Sequence, residues 1–112
     1  MKMVVAIVRP EKYGEVKDAL KDRGVTGMTF TPVTGRGMQA GVKFTNRVGE
    51  FMIDEIEKVK IEIVVEDDSK VPCVIDTICQ AAKTGRHGDG RIFVLPVESA
   101  VRISAVSYTH LT

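Results

Sequence analysis

The sequence contains no tryptophan and only six aromatic residues, four Phe and two Tyr, among its 112 residues. Its charges almost cancel, because 16 Lys and Arg against 15 Asp and Glu leave a net charge of +1. Proteins that bind nucleic acid usually carry a basic excess and aromatic side chains that stack on bases. Nucleic acid is therefore not expected as a partner.

Long apolar runs are also missing. No run approaches the roughly 20 residues that cross a bilayer, and the start, Met1-Lys2-Met3, lacks a long apolar signal segment. We therefore expect a cytoplasmic protein. A content of 44% hydrophobic and 28% charged residues is typical of a globular chain, and the length predicts a single domain over residues 1–112.

Cysteine is scarce. Cys73 and Cys79 lie six positions apart on a predicted helix, which separates them by about 9 Å along its axis and excludes a disulfide. With no second cysteine pair and no histidine at ligand spacing, they do not predict a zinc site. We interpret both as ordinary semi-buried thiols.

Apolar periodicity predicts two strand-helix-strand units. The first strand is apolar on both faces, so it is expected to be buried on both; the first helix begins at Pro10 and ends at Gly24. The second helix begins near Ser69 and ends at Thr84-Gly85. The predicted strands are 3–8, 25–33, 59–65 and 91–95, with a short fifth strand around 100–103.

Right-handed crossovers allow the two units to interlock in one antiparallel sheet with both helices on one face. The predicted fold is therefore the α+β, ferredoxin-like βαββαβ arrangement. The other face of the sheet carries apolar residues and would be left uncovered. We expect self-association to bury it, most simply in a closed ring of identical chains.

A long segment between the second and third strands, about residues 37–58, has no helical pattern. Its apolar stretches Val42-Lys43-Phe44 and Phe51-Met52-Ile53 flank a plausible turn, Asn46-Arg47-Val48-Gly49, so an extended hairpin is possible. One interpretation is a two-stranded excursion without a role. The other, which we favour, is a docking element, because its apolar side chains have no core of their own.

The segment Thr84-Gly85-Arg86-His87-Gly88-Asp89-Gly90-Arg91 has three glycines in six positions and two arginines, Arg86 and Arg91. Such a loop can turn its amides toward an anion, although a tight turn is the simpler interpretation. A second glycine-flanked bend, Gly35-Arg36-Gly37-Met38-Gln39, is followed at a distance by Lys58. Arg102 could supply a further cation.

Beyond spacing, three segments resemble the PII nitrogen-regulatory signal proteins: GVTGMTFTPVTGRG, KVKIEIVVEDD and AAKTGRHGDGRIFVLPVESAVRI. The resemblance spans about residues 2–103. It implies a homotrimer of ferredoxin-like subunits that binds ATP or ADP between neighbours and senses 2-oxoglutarate with Mg²⁺-ATP. It also implies a long loop that contacts target proteins, such as an ammonium transporter, glutamine synthetase or a protein that regulates nitrogenase. Any membrane association would be peripheral, through the transporter.

The resemblance also implies site residues. The phosphates would be held by the glycine loop and Arg102, while Gln39 would help to hold Mg²⁺ and 2-oxoglutarate, and Lys58 would pair with the dicarboxylate. The complete set of expected ligand-binding residues is Ile7, Thr29, Gly35, Arg36, Gly37, Met38, Gln39, Lys58, Val64, Gly88, Asp89, Gly90, Arg91 and Arg102.

The chain departs from the family pattern at several positions. Phe51 stands where many members carry a modifiable Tyr, and Gly49 where some carry a phosphorylated Ser, so neither modification is expected. Met38 and Ser104 stand where Arg is usual, and the tail 104–112 reads SAVSYTHLT, which is atypical of the family. The two missing cations could weaken phosphate binding.

Two other functions remain open at this stage. One is a small phosphotransferase that uses His87 as nucleophile with Asp89 to orient it. The other is a structural or metal-tolerance trimer in which the glycine loop is only a turn. The family resemblance favours a signalling protein that is not an enzyme.

Overall fold

Two strand-helix-strand units interlock in the computed structural model, which describes residues 1–36, 42–46, 49–53, 55–104 and 107–108. Short 3₁₀ turns, Pro10–Lys12 and Asp68–Lys70, precede the two helices. The elements in chain order are β1 (Lys2–Val8), α1 (Tyr13–Asp22), β2 (Thr29–Gly35), β3 (Val42–Asn46), β4 (Gly49–Ile53), β5 (Ile56–Val65), α2 (Val71–Ala82), β6 (Gly90–Pro96), β7 (Val101–Arg102) and β8 (Ser107–Tyr108).

The main sheet has the strand order β2-β5-β1-β6, and every neighbouring pair is antiparallel. Both helices pack on one face of this sheet and against each other. This order is that of two interlocked crossover units. The predicted ferredoxin-like α+β fold is therefore confirmed.

The core lies between the helices and one face of the sheet. Strand side chains alternate between faces, and the members of β1 and β5 that point to the helices are almost inaccessible, while α1 contributes Val16 and Leu20. Burial of these side chains is the main favourable term for the fold. The sheet residues in this core are Val4, Ala6, Val8, Val59, Ile61, Ile63 and Val65.

The expectation that the first strand is buried on both faces is wrong for the single chain. Met3, Val5 and Ile7 are only partly buried, whereas the alternating residues of β1 are buried. The physical reason is that both helices cover the same side of the sheet. The apolar character of the second face therefore has to be explained by something other than the core.

The uncovered face, which we call the open face, has an apolar end. Val5 pairs with Phe93 and Met3 with Leu95 across β1 and β6, and Phe93 and Leu95 are 48% and 41% exposed. Val64 of β5 pairs with Met3 from the other side. The predicted uncovered apolar surface is therefore present.

Both helix ends follow the predicted chemistry. Gly24 adopts a φ of 83° after α1, and before α2 the Asp67 carboxylate accepts hydrogen bonds from the amide and hydroxyl of Ser69 at 2.9 and 2.7 Å. These local signals act within a few residues of the helix end, and so they can be recognised in the sequence.

Three boundaries or environments differ from expectation. β2 begins at Thr29 rather than at Val25, because the Val25 amide donates to the Leu20 carbonyl and closes the end of α1. β5 begins at Ile56, so the predicted long segment ends earlier and Lys58 lies in a strand. Cys73 and Cys79 are free, as expected, but exposed rather than semi-buried, because the apolar stripe of α2 turns other positions toward the core.

The hairpin predicted within the long segment is present. β3 and β4 pair with Val42 opposite Ile53 and Phe44 opposite Phe51. β7 is shorter than the predicted fifth strand and pairs with β8 in a separate ribbon. Among the described residues, none of the helices has the length and apolar content needed to span a bilayer.

Candidate functional site

One end of the main sheet gathers four chain segments. β1 ends there at Val8-Arg9, β6 begins at Gly90 opposite Val8, and β2 ends at Gly35 opposite Ile56. Lys58 lies near the start of β5 at the same end, opposite Val33. The segment 83–89, here called the glycine loop, connects the end of α2 to this edge.

Glycine is required where the glycine loop enters β6. Gly90 has a φ of 116°, a conformation that residues with a side chain rarely adopt. A Cβ atom at Gly90 would also overlap the carbonyl oxygen of Ile7 and lie 2.9 Å from its carbonyl carbon. The backbone of β6 therefore packs directly on β1 at the site.

The glycine loop folds around the carboxylate of Asp89. This group accepts hydrogen bonds from the amide of Thr84 at 2.8 Å and the amide of Gly85 at 3.1 Å, and from the hydroxyl of Thr84. The Thr84 hydroxyl oxygen in turn accepts a bond from the amide of Arg86 at 3.1 Å. The amides of Thr84 and Gly85 thus point to the loop's own carboxylate, Asp89, and the binding of a ligand anion by this loop stays a prediction.

Arg9 connects β1 to this arrangement. Its Nε donates to Asp89 Oδ1 at 3.1 Å, and its Nη2 donates to the backbone carbonyl of His87 at 2.6 Å. Lys58, from β5, donates its ammonium to the next carbonyl along the loop, that of Gly88. Arg9, directly after β1, and Lys58, in β5, therefore bind consecutive carbonyls of the loop.

These contacts shift two ionisation equilibria. The hydroxyl and amide of Thr84, followed by Arg9 and the amide of Gly85, hold the pKa of the Asp89 carboxyl well below its usual range. Burial, and then the positive charge of Arg9, lower the pKa of the Lys58 ammonium. Since Arg9 repels Lys58, an anion placed between them would be favoured electrostatically.

Of the remaining site residues predicted from the sequence, some share the open face and others do not. Ile7 pairs with Arg91 on one side and Lys60 on the other, so Ile7 and Arg91 lie beside the glycine loop. Thr29, opposite Glu62, and Val64, opposite Met3, lie on the same face but further along the sheet. A single chain therefore does not bring Thr29 and Val64 to the loop.

Gly35 and Arg36 line a pocket of about 450 Å³ with Thr34 and Glu55, at the base of the long segment. Arg102 lies in β7, in the ribbon outside the main sheet. Gly37, Met38 and Gln39 lie outside the described residues, so the expected Mg²⁺ and dicarboxylate contacts of Gln39 stay predictions. A second, mainly apolar pocket of about 300 Å³ lies behind the glycine loop, between α2 and β6.

Within the described part of the chain, no group of three or more His, Cys, Asp or Glu side chains is placed to hold a metal ion. The carboxylate nearest to the predicted phosphates, Asp89, is already bound by Thr84, Gly85 and Arg9. The donor set at the sheet end consists of cations and amides, which fits the phosphates and carboxylates of a ligand better than a metal ion held by the protein alone.

Sequence reasoning missed Arg9 and the role of Thr84. The sequence predicts no contact for Arg9, and it identifies Thr84 only as the end of a helix and the first residue of the glycine-rich segment. An arginine directly after a buried strand and an aspartate within a glycine-rich loop are residue types that can form an ion pair. The sequence alone does not pair them, because 80 positions separate Arg9 from Asp89.

Comparison with known proteins gives a consistent result. A family model described as "Nitrogen regulatory protein P-II" matches residues 1–106. "Nitrogen regulatory protein P-II 2" of Methanothermobacter thermautotrophicus is 50% identical over 103 residues, covering 92% of this chain and 89% of that protein. "Nitrogen regulatory protein P-II 1" of Escherichia coli K12 is 50% identical, and "Nitrogen regulatory protein P-II" of Nostoc punctiforme 48% identical, each covering 92% of this chain and 91% of the relative.

Proposed function

Because this chain belongs to the nitrogen regulatory protein P-II family, whose members are signalling regulators of target proteins and not enzymes, we propose that it is a sensor of ATP or ADP and 2-oxoglutarate. The observation that carries the proposal is the convergence of Arg9, Lys58 and the glycine loop at one sheet end. This end combines positive charge with a backbone that a ligand can approach closely.

The nucleotide phosphates would bind beside the glycine loop. Gly88 adds no side chain to the loop, and Arg91 supplies a guanidinium on the open face next to Ile7. Asp89 would act through its backbone and by holding the loop together, since its carboxylate is bound within the loop. Ile7, Gly35, Arg36, Gly37, Met38 and Arg102 complete the proposed nucleotide contacts.

The 2-oxoglutarate would bind at Lys58 and Gln39. Gln39 would hold a bound Mg²⁺ through its amide oxygen, and the ion would supply positive charge to the phosphate and dicarboxylate groups. The dicarboxylate would bind the Lys58 ammonium, which in this structure donates a hydrogen bond to the Gly88 carbonyl of the glycine loop. Occupancy of one site therefore changes the other, which is the energetic requirement for coupled sensing.

The proposed assembly is a homotrimer. The open face leaves Val64, Phe93 and Leu95 exposed beside one another, and Thr29 and Val64 lie away from the glycine loop of their own chain. A neighbour in a closed ring would cover the apolar side chains and could bring its Thr29, Val64 and Arg102 to this site.

The long segment would contact the target. Its β3 and β4 strands form a hairpin with Phe44 opposite Phe51 in register, and Phe51 has no hydroxyl that could be uridylylated. Regulation would therefore depend on ligand occupancy. We propose an ammonium transporter or a nitrogen-assimilation enzyme as the target, and the cytoplasm as the site of action.

Titration calorimetry tests this function. ATP should bind saturably, and its affinity should rise when Mg²⁺ and 2-oxoglutarate are both present. Absence of ATP binding would contradict the proposal and leave a structural trimer. Steady ATP turnover that is lost in His87→Ala would contradict it in favour of a phosphotransferase.

A further inference from the structure

Arg9 makes a contact that neither the family resemblance nor the proposed ligand set assigns to it. Its side chain is only 15% exposed, and it lies directly after β1, which is anchored in the core through Val4, Ala6 and Val8. The Arg9 side chain is thus attached to a rigid part of the backbone. A side chain can hold a loop in one conformation only if its own backbone is fixed.

The two contacts of Arg9 are made to different parts of the loop. One is to the side chain of Asp89 at 3.1 Å, and the other is to the backbone carbonyl of His87 at 2.6 Å. A planar guanidinium can make both bonds at once because its donors diverge in a fixed fork, whereas a lysine ammonium on a flexible stem lacks this geometry.

The loop depends on such an anchor more than most loops do. Gly85, Gly88 and Gly90 all have positive φ values, of 82°, 88° and 116°, and glycines lose more conformational freedom on ordering than other residues. The Asp89 carboxylate accepts hydrogen bonds from the amides of Thr84 and Gly85, but these bonds lie within the loop. The hydrogen bonds of Arg9 connect the loop to the end of β1.

We propose that Arg9 is a positioning residue for the phosphate site, which holds the glycine loop in its binding shape through Asp89 and the His87 carbonyl. The proposal rests on the function proposed above. It follows that nucleotide affinity depends on Arg9 before any dicarboxylate is present, because the order of the loop is provided in advance of binding.

Hydrogen exchange and ATP titration test this directly in the full-length protein. In Arg9→Gln the amides of Thr84 and Gly85 should exchange about tenfold faster, and ATP affinity without 2-oxoglutarate should fall about tenfold, which is the size expected for one charge-assisted hydrogen bond. The amide of Ile61 in β5 should be unchanged. Arg23→Gln, an exposed arginine at the end of α1, is the matched control and should change neither property.

Two further variants distinguish a role of Arg9 in positioning the glycine loop from a general loss of protein stability. Arg9→Lys should recover part of the ATP affinity, since it restores the charge but not the fork. In an Asp89→Asn background the effect of Arg9→Gln on ATP affinity should shrink, because the two residues act on one element.

The proposal is wrong if the Thr84 and Gly85 amides keep their exchange rates in Arg9→Gln, or if they exchange faster while ATP binds as before. It is also wrong if only the response to 2-oxoglutarate is lost, which would make Arg9 a direct contact of the dicarboxylate. Failure of the unaltered protein to bind ATP contradicts the proposed function instead, and the exchange measurement then still decides whether Arg9 holds the loop.

Discussion

The Asp89 carboxylate and Thr84 are bound to each other twice, through the Thr84 amide at 2.8 Å and through the Thr84 hydroxyl. This pair closes the glycine loop on itself, and Arg9 then fastens the closed loop to β1. The internal carboxylate thus occupies the amides of Thr84 and Gly85. The role of Asp89 is therefore to shape the loop.

Replacement of the carboxylate should have a pH-dependent effect on stability. Because hydrogen bonds from Thr84 and the charge of Arg9 lower the pKa of Asp89 in the folded protein, the carboxylate stabilises the fold above its ordinary pKa of about 3.9. This contribution is lost progressively as the pH falls below that value. Asp89→Asn should therefore be less stable than the unaltered protein between pH 5 and pH 7, by a difference that shrinks toward pH 3, in urea unfolding followed by circular dichroism.

Asp18→Asn, on the exposed surface of α1, controls for the loss of one negative charge. A stability difference for Asp89→Asn that is the same at pH 3 as at pH 7 would show that the carboxylate is not what stabilises the loop.

A side chain at position 90 should not be tolerated. Gly90→Ala places a Cβ against the carbonyl of Ile7 at a positive φ, and we expect a loss of about 3 kcal/mol or more in the free energy of unfolding. Gly14→Ala is the matched control, because a Cβ there meets nothing within 4 Å in α1 and should stabilise by about 0.5–1 kcal/mol. Equal effects of the two substitutions in urea unfolding would contradict the close packing of β6 on β1.

Lys58→Ala should separate the two ligands. The response of ATP affinity to 2-oxoglutarate should disappear, because the substitution removes the cation that would pair with the dicarboxylate, while ADP binding stays nearly intact. Titration calorimetry with and without the metabolite measures both. Lys70→Ala, at the other end of the sheet before α2, is the control. A metabolite response that survives in Lys58→Ala would show that another residue binds the dicarboxylate.

A charge on the open face should disrupt the proposed ring. Phe93→Asp places a carboxylate among apolar side chains that we expect a neighbouring chain to cover. Sedimentation velocity at micromolar concentration should then show a single chain in place of a trimer. Cys73→Asp, at an exposed position of α2 on the opposite face of the sheet, should leave the trimer unchanged. A trimer that survives the change at Phe93 would place the contact on another surface.

Much of the fold could be predicted because its signals are local. Alternation in β5 identifies the face that carries Ile61 and Ile63, and the ends of the two helices are marked within a few residues by Gly24 and Asp67. The errors have a local cause as well. Residues 25–28 are as rich in apolar character as a strand, but Val25 and Met28 pack beneath the end of α1.

The sequence by itself therefore determined the order of the main strands and helices along the chain and the presence of a glycine-rich loop, since each depends on residues that are near one another in the chain. Only the tertiary structure decided which residues hold that loop. Arg9 and Asp89 are 80 positions apart, and Lys58 and Gly88 are 30 apart. They meet because β1 lies between β5 and β6 in the sheet, and the pairing of individual side chains across this sheet depends on the folded path of the glycine loop, which alternation within one strand does not specify.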